Sequence, residues 1–210
     1  MIRLLLVDDH IMLREGIRSM LSGHEDISVE GEAGSAAELF AHLKKSKFDV
    51  IILDIKLTDA SGVALLQRIK RAQPKVKVIM LTMYDQVHYA IHALQSGADA
   101  YVVKGATTDE LLEAIRDVRC GKTYVSPSVA GKLAGWVRPG RGSTDLDALS
   151  HREFEVLTML GRGLSVKEIA AHLGVSQKSV TTYRTRLMQK LRLSNNAEIV
   201  RFAVNSLLVD

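Results

Sequence analysis

Short apolar runs alternate with amphipathic segments along the first half of the chain. Between the runs, apolar residues recur every three or four positions, as they do on the buried face of a helix. This alternation predicts a parallel sheet with helices on both faces, and we expect residues 1–120 to form a doubly wound α/β domain. The runs that predict its five strands are Leu4–Val7, Ser28–Ala33, Val50–Leu53, Val76–Leu81 and Ala100–Val103.

The pattern changes after Gly121. Glycine, proline and serine become frequent, which predicts a linker over residues 121–147, with room for a short helix between Pro127 and Trp136. Residues 148–210 show helical spacing alone. We expect them to form a small all-α domain of four helices, at about 151–161, 166–173, 177–191 and 195–207.

Serine and threonine residues mark the starts of several predicted helices. Each is followed three positions later by glutamate, and in such a capping box the two side chains satisfy free backbone N–H groups. The pattern therefore predicts where four helices begin. It occurs at Ser35-x-x-Glu38, Thr107-x-x-Glu110, Ser150-x-x-Glu153 and Ser165-x-x-Glu168.

The composition is that of a globular protein, with 47% hydrophobic and 25% charged residues. The charge is unevenly divided, because residues 1–120 carry 15 basic and 17 acidic side chains, whereas residues 121–210 carry 13 and 7. We therefore expect any polyanionic partner to dock on the C-terminal part. The sequence has a single cysteine and no apolar run long enough to cross a membrane, so we expect a cytoplasmic protein without a membrane partner.

Chemically active side chains stand where the predicted strands end. Asp8 and Asp9 follow the first strand, Asp54 follows the third, Thr82 the fourth and Lys104 the fifth. In an open parallel sheet these ends share one edge, where ligands bind. Each residue alone is more often a helix cap or a surface charge, but their joint order predicts a single site.

Three carboxylates at one edge repel one another unless positive charge offsets them. Mg²⁺ suits such a site because it prefers oxygen ligands, and Asp8 or Asp9, Asp54 and one backbone carbonyl can hold it. Asp54 can then attack a phosphoryl donor to form an aspartyl phosphate. Thr82 and Lys104 are placed to bind the phosphoryl oxygens. The sequence therefore predicts a magnesium-dependent phosphoacceptor.

The segments around these residues resemble the receiver domain of response regulators. The resemblance implies a flavodoxin-like fold and phosphorylation of Asp54 by a sensor histidine kinase, with Thr82 and Tyr101 as switch residues. The Mg²⁺ ligands that it implies are Asp8, Asp9, Asp54 and the backbone carbonyl of Lys56. The matching segments are Leu-Leu-Val-Asp8-Asp9-His10, Ile-Ile-Leu-Asp54 followed by Gly62, Met80-Leu81-Thr82, and the stretch from Gly97 to Lys104.

The chain departs from the receiver pattern just after the phosphoacceptor. The family usually has Met-Pro there, whereas this chain has Leu57-Thr58. Without proline the loop loses a fixed φ angle, so we expect it to be more mobile.

The C-terminal part contains a helix, a glycine turn and a second helix, the pattern of a helix-turn-helix. The second helix, over 177–191, has Val180, Leu187 and Leu191 on one face and no acidic residue. Basic side chains suit contacts to DNA phosphates, and hydroxyl side chains suit base edges or thymine methyl groups. A basic amphipathic helix can also be an ordinary solvated face. The candidate DNA contacts are Lys178, Ser179, Thr181, Thr182, Arg184, Thr185, Arg186 and Lys190.

Residues 148–210 resemble the LuxR-type helix-turn-helix, combined here with a receiver as in the NarL/FixJ subfamily. The segments that carry the resemblance include Gly163-Leu-Ser-Val-Lys-Glu-Ile-Ala and Val175-Ser-Gln-Lys-Ser-Val. The resemblance implies binding to double-stranded promoter DNA and a homodimer formed through the last helix. Ile199, Ala203 and Leu207 are suitably spaced for that pairing, although the same spacing fits ordinary core residues.

The leading hypothesis is a transcription regulator in which phosphorylation of Asp54 shifts a two-state equilibrium through Thr82 and Tyr101. One alternative is a phosphate-independent DNA-binding regulator with a degenerate switch. Another is a magnesium-dependent phosphohydrolase, which would need a second general acid that the sequence does not offer. A third is a phosphorelay protein that never touches DNA, which salt-dependent DNA binding would exclude.

Overall fold

The structure, a computed structural model, describes residues 1–136 and 145–206. The chain divides into two compact units, Met1–Trp136 and Val137–Asp210. Within the part of the chain that the structure describes, no helix combines the length and the apolar character needed to span a membrane.

The first unit alternates strands and helices along the chain. Its strands are β1 (Ile2–Val7), β2 (Ile27–Ala33), β3 (Val50–Asp54), β4 (Lys77–Thr82), β5 (Ala100–Val103) and β6 (Tyr124–Val125). Its helices are α1 (Ile11–Leu21), α2 (Ala36–Lys45), α3 (Gly62–Ala72), α4 (Val87–Gln95), α5 (Thr108–Arg119) and α6 (Pro127–Trp136).

The strands form one parallel sheet in the order β2-β1-β3-β4-β5-β6. The predicted doubly wound α/β fold is confirmed, but the expected count of five strands is one too low. The sixth strand has only two residues, Tyr124 and Val125, which pair with Ala100 and Tyr101 of β5. It is too short to produce the apolar run by which the other strands were recognised.

The sheet is buried on both faces, as the continuous apolar run in β3 predicted. Leu5 and Ile51 pack on one face with residues of α2 and α3, whereas Leu4 and Ile52 pack on the other with residues of α1 and α5. Successive side chains of a strand point to opposite faces, so a strand covered on both sides needs apolar residues throughout.

Residues 121–136, which the sequence placed in a linker, pack as part of the first unit. The backbone N–H of Ser126 donates to Tyr101 (2.9 Å), and its hydroxyl accepts from the Val103 N–H (3.1 Å). Val129 of α6 is fully buried, and Leu133 packs against the same core. Residues 137–144 of the predicted linker lie outside the described residues.

The second unit contains the four predicted helices, α7 (His151–Gly161), α8 (Val166–Leu173), α9 (Gln177–Leu191) and α10 (Asn196–Asn205), after a 3₁₀ turn at Asp145–Ala148. Their bounds agree with the sequence pattern to within about two residues. Their shared core is apolar and includes Phe154, Leu157, Ile169, Val180, Leu187, Ile199 and Ala203.

The helix starts follow the predicted capping chemistry, with one difference. Thr107, Ser150 and Ser165 each form the complete reciprocal capping box. Ser35 accepts from the Glu38 N–H, but Glu38 Oε2 accepts from the Gly34 N–H (2.7 Å) instead of from Ser35. The α2 start is therefore capped by the serine alone, and the glutamate binds one residue earlier.

Candidate functional site

The predicted acidic residues meet at the carboxyl edge of the sheet. Asp8 follows β1, Asp54 ends β3 and Lys104 follows β5. The Lys104 ammonium lies 2.7 Å from Asp8 Oδ2 and 2.8 Å from Asp54 Oδ2. The lysine that follows the fifth strand thus joins the carboxylate that follows the first strand to the one that ends the third.

The charge balance at Asp54 favours an additional cation. Burial raises the pKa of Asp54, because only 5% of the residue is exposed, and Asp8 raises it further, although Lys104 opposes both. Burial lowers the pKa of Lys104, but its bonds to Asp54 and Asp8 outweigh this effect and raise it overall. Because Lys104 alone does not offset the burial of Asp54, a further positive charge would stabilise its ionised form.

Asp9 and His10 complete the group. His10 Nδ1 lies 2.9 Å from Asp8 Oδ1 and 2.8 Å from Asp9 Oδ1, and the Thr58 hydroxyl donates to Asp9 Oδ2 at 2.5 Å. Burial raises the pKa of Asp9, but the Thr58 hydrogen bond and His10 outweigh it, so the net shift is downward. Asp9 is therefore a carboxylate at neutral pH.

Sequence reasoning missed His10 and Thr58 as members of this site. His10 stands next to the acid pair in sequence, a signal that was available. Thr58 had none, because contact with Asp9 depends on how the loop after β3 folds back towards β1.

The three carboxylates of this group fit Mg²⁺. Asp8, Asp9, His10 and Asp54 each offer one ligand atom, and these atoms lie within 4.8 Å of one another. Asp8 Oδ2 and Asp9 Oδ1 are buried; the Lys104 ammonium lies 2.7 Å from the first, and His10 Nδ1 lies 2.8 Å from the second. Carboxylate oxygens this close together are suitable ligands for a hard divalent cation.

The backbone around Asp54 is also arranged for this site. The Lys56 N–H donates to the Asp54 carboxylate. Lys56 itself forms an antiparallel bridge with Ser61, which closes the loop that leads into α3. The loop therefore holds Lys56 beside the phosphoacceptor candidate.

The two predicted switch residues are linked through Tyr84. Thr82, fully buried, is the residue after Leu81, the register partner of Asp54, and its hydroxyl accepts from the Tyr84 N–H (3.1 Å). The Tyr101 hydroxyl donates to the Tyr84 carbonyl (2.7 Å). Burial raises the pKa of Tyr101, so it stays a neutral donor. Thr82 and Tyr101 thus both contact the backbone of Tyr84.

The second unit contains the predicted helix-turn-helix. Gly174 ends α8 with φ 62°, a left-handed conformation that glycine adopts without strain, and Ser176 caps α9 by accepting from the Ser179 N–H. Helix α9 buries Val180 and Leu187. Its opposite side is open to solvent, as DNA binding requires.

The basic candidates on α9 fall into two groups. Lys178 and Arg186 are exposed, as is Lys190, whereas Arg184 is partly buried. Arg184 Nε donates to Asn196 Oδ1 (2.9 Å), and Lys190 Nζ lies 2.6 Å from Glu153 Oε2. The latter two therefore also hold α9 to neighbouring helices.

The threonine candidates already use their hydroxyl donors within the protein. Thr181, Thr182 and Thr185 are exposed, and each hydroxyl donates to the carbonyl four residues earlier. The Ser179 hydroxyl pairs with that of Ser176 at 2.9 Å. The three threonines therefore still offer methyl groups and oxygen lone pairs, which suit thymine methyls and base amino groups.

Two of the three residues predicted to mediate dimerisation are buried within the domain. Ile199 and Ala203 are fully buried in their own domain, so they are core residues, the alternative that the sequence left open. Leu207 lies outside the described residues. The exposed apolar side chains of α10 are instead Val200 and Val204, which are 38% and 43% exposed.

Comparison with known proteins identifies both units. Residues 4–116 match the model of the response regulator receiver domain, and residues 147–203 match that of the bacterial regulatory proteins of the luxR family. The response regulator GacA of Pseudomonas aeruginosa is 34% identical over 100% of this chain and 99% of its own length. The oxygen regulatory protein NreC of Staphylococcus haemolyticus is 33% identical over 99% of both chains. The chain belongs to the NarL/FixJ-type response regulators.

Solved structures of RcsB support the same assignment. RcsB from Salmonella enterica serovar Typhimurium, bound to promoter P1flhDC in the presence of phosphomimetic BeF3⁻, is 28% identical with a TM-score of 0.70, covering 96% of this chain and 97% of that one. A structure of two RcsB dimers bound to two parallel DNAs is 27% identical with a TM-score of 0.62, covering 97% and 98%. This response regulator thus combines a receiver with a LuxR-type DNA-binding domain and acts as a transcription regulator of a two-component system.

Proposed function

We propose that Asp54 of this response regulator accepts a phosphoryl group from a sensor histidine kinase and that its phosphorylation controls binding to promoter DNA. The observation that carries the proposal is the group of Asp8, Asp54 and Lys104 at the carboxyl edge of the sheet, with Lys104 within 2.8 Å of both carboxylates. The RcsB structures with DNA and a phosphomimetic lend it support.

Residues of this chain supply most of the groups that take part in the phosphoryl transfer. A carboxylate oxygen of Asp54 forms the new bond to phosphorus while the bond from phosphorus to the kinase histidine breaks. Lys104 and the Thr82 hydroxyl stabilise the charge on the phosphoryl oxygens. Asp8, Asp9, Asp54 and the Lys56 carbonyl would hold Mg²⁺, which when bound offsets the negative charge of the carboxylates and the phosphoryl group. Later attack by water would return Asp54 to a carboxylate.

The switch would act through Thr82. Once phosphoryl oxygens compete for its hydroxyl, the hydrogen bond from the Tyr84 N–H changes, and with it the position of the Tyr84 carbonyl that Tyr101 binds. Phosphorylation would thereby favour one of two arrangements of the β4–α4 segment.

On DNA, α9 would lie in the major groove, with Lys178 and Arg186 at phosphates and the exposed threonines at base edges. Two copies would pair through the last helix, as a palindromic site requires. Since Ile199 and Ala203 are core residues, the exposed Val200 and Val204 are the apolar side chains available for that contact.

The experiment that tests phosphate acceptance is incubation with acetyl phosphate and Mg²⁺, followed by a phosphate-affinity gel. Wild type and Asp59→Asn, a matched change in the adjoining loop, should both give a shifted band, and Asp54→Asn should give none. A shifted band in Asp54→Asn would contradict the assignment of the acceptor. No band in wild type, with DNA binding intact, would favour the phosphate-independent regulator.

A further inference from the structure

The loop between β3 and α3 is a tight turn with two residues at its tip. The Leu57 N–H donates to the Ala60 carbonyl (3.0 Å), and the Gly62 N–H donates to the Ile55 carbonyl (2.7 Å). These bonds close the base of the turn and leave Thr58 and Asp59 at its end.

Each tip residue is tied to a different neighbouring element. The Thr58 hydroxyl donates to Asp9 Oδ2 in the β1–α1 loop (2.5 Å). The Asp59 carboxylate accepts from the Ala36 N–H at the start of α2 (3.0 Å). The loop is expected to be more mobile because Leu57-Thr58 stands where the family usually has Met-Pro, and that remains a prediction. Proline has no hydroxyl with which to reach Asp9, so the Thr58 bond depends on this departure.

We propose that Thr58 is a positioning residue for the magnesium site, acting by fixing the carboxylate of Asp9. The inference rests on the proposed function, because it assumes that Asp9 is a ligand of the cation. The residue lies where the receiver family usually has proline.

The geometry shows why Asp9 needs such a contact. Asp8 is 4% exposed at its side chain and is fixed by the His10 N–H (2.8 Å) and by Lys104. Asp54 is fixed by Lys104. The Asp9 side chain is 24% exposed and is tied by Thr58 at Oδ2, while Oδ1 is buried beside His10.

A fixed ligand binds its cation more tightly than a mobile one, because less conformational freedom is lost on binding. A hydrogen bond to a carboxylate is also stronger than one between neutral groups, so the Thr58 contact is able to hold Asp9 in place. Removing the hydroxyl should therefore weaken cation binding without removing any ligand.

The test is the Kd for Mg²⁺, measured by calorimetry on the full chain without a phosphoryl donor. Thr58→Val removes the donor and keeps the shape, and we expect it to raise the Kd roughly three- to tenfold. Thr58→Ser keeps the hydroxyl, and its Kd should stay within about twofold of wild type. Asp59→Ala removes the other side-chain hydrogen bond of the same turn. Its Kd for Mg²⁺ should also stay within about twofold of wild type.

Several outcomes would overturn the inference. Wild-type or tighter affinity in Thr58→Val would show that the hydroxyl does not position Asp9 for the cation. Equal loss in Asp59→Ala, or no rescue in Thr58→Ser, would show that general loop order matters instead. If these occur while wild type still binds Mg²⁺ and Asp54 is still phosphorylated, this inference alone fails. If wild type binds no Mg²⁺ and Asp54 accepts no phosphoryl group, the proposed function fails with it.

Discussion

The backbone of Asp54 packs directly against Gly62, the first residue of α3. A Cβ atom at Gly62 would overlap the Asp54 carbonyl oxygen, and its other nearest neighbours are also backbone atoms. Backbone atoms cannot move aside as a flexible side chain can, so the position of the phosphoacceptor depends on this glycine.

We predict that Gly62→Ala destabilises the receiver by about 1–3 kcal/mol, as overpacking of a dense interior does, and slows phosphorylation of Asp54. The matched control is Gly131→Ala in α6, where no described atom lies within 4 Å of the added Cβ. The control should be neutral or slightly stabilising, because alanine is the better helix former. Thermal or urea denaturation measures both, and equal stabilities for the two variants would contradict the account.

At the residue scale, the sequence predicted the site residues that stand at strand ends, but it did not predict all of those whose position depends on a loop. Asp54 and Lys104 were recognised because parallel strands bring their carboxyl ends to one edge whatever the loop conformations. Thr58 depends on the path of the loop after β3, which no periodicity encodes, whereas the position of His10 next to Asp8 and Asp9 was a signal that was overlooked. Lys190 was predicted to contact DNA only. Its contact with Glu153 could not be predicted, because the two residues lie 37 positions apart in the sequence.

Helix α9 contains basic side chains of two kinds, those proposed to contact DNA and those that also contact neighbouring helices. We predict that Lys178→Ala and Arg186→Ala each weaken binding to a nonspecific duplex and reduce the slope of log affinity against log salt by about one. Fluorescence anisotropy over a salt series measures both quantities.

Lys190→Ala serves as the comparison within the same helix. It should change the salt slope less but lower the thermal midpoint, because Glu153, whose side chain is 3% exposed, loses its cation. Unchanged slopes in Lys178→Ala and Arg186→Ala would contradict their assignment to phosphates.

Helix α10 has one apolar face in the domain core and two exposed valines. We predict that Val204→Asp leaves the domain folded but converts the DNA-bound dimer to a monomer, because it places a charge in an apolar contact. Ala203→Asp should instead unfold the domain, since Ala203 is fully buried. Light scattering of the DNA complex and circular dichroism separate the two effects; a dimer that persists in Val204→Asp would place the interface elsewhere.

At the element scale, helical spacing in the sequence predicted the extents of all four helices in the second unit. It did not distinguish which side of α10 is buried in the domain, because core residues and dimer contacts share the same spacing. Strand β6 was missed for a different reason: two residues are too few for a pattern with a period of two.

At the scale of the whole molecule, the N-terminal and C-terminal parts of the chain differ in net charge and in the kind of site that each contains. Residues 1–120 have two more acidic than basic side chains and contain the acidic site, whereas residues 121–210 have six more basic than acidic and contain α9. This division predicted which part would bind a polyanion. The sequence could not show that residues 121–136 pack with the first unit, because their glycine and proline content resembles that of a linker.

The most direct test of the central claim is the affinity for DNA before and after treatment with acetyl phosphate and Mg²⁺. The probe is a duplex selected from a random pool, and affinity is measured by anisotropy at fixed salt. Treatment should raise the affinity of wild type and Asp59→Asn by roughly 5- to 150-fold, the usual range of coupling between sites, and leave Asp54→Asn unchanged. An equal response in Asp54→Asn, or none in a wild type shown to be phosphorylated, would contradict control of DNA binding through Asp54.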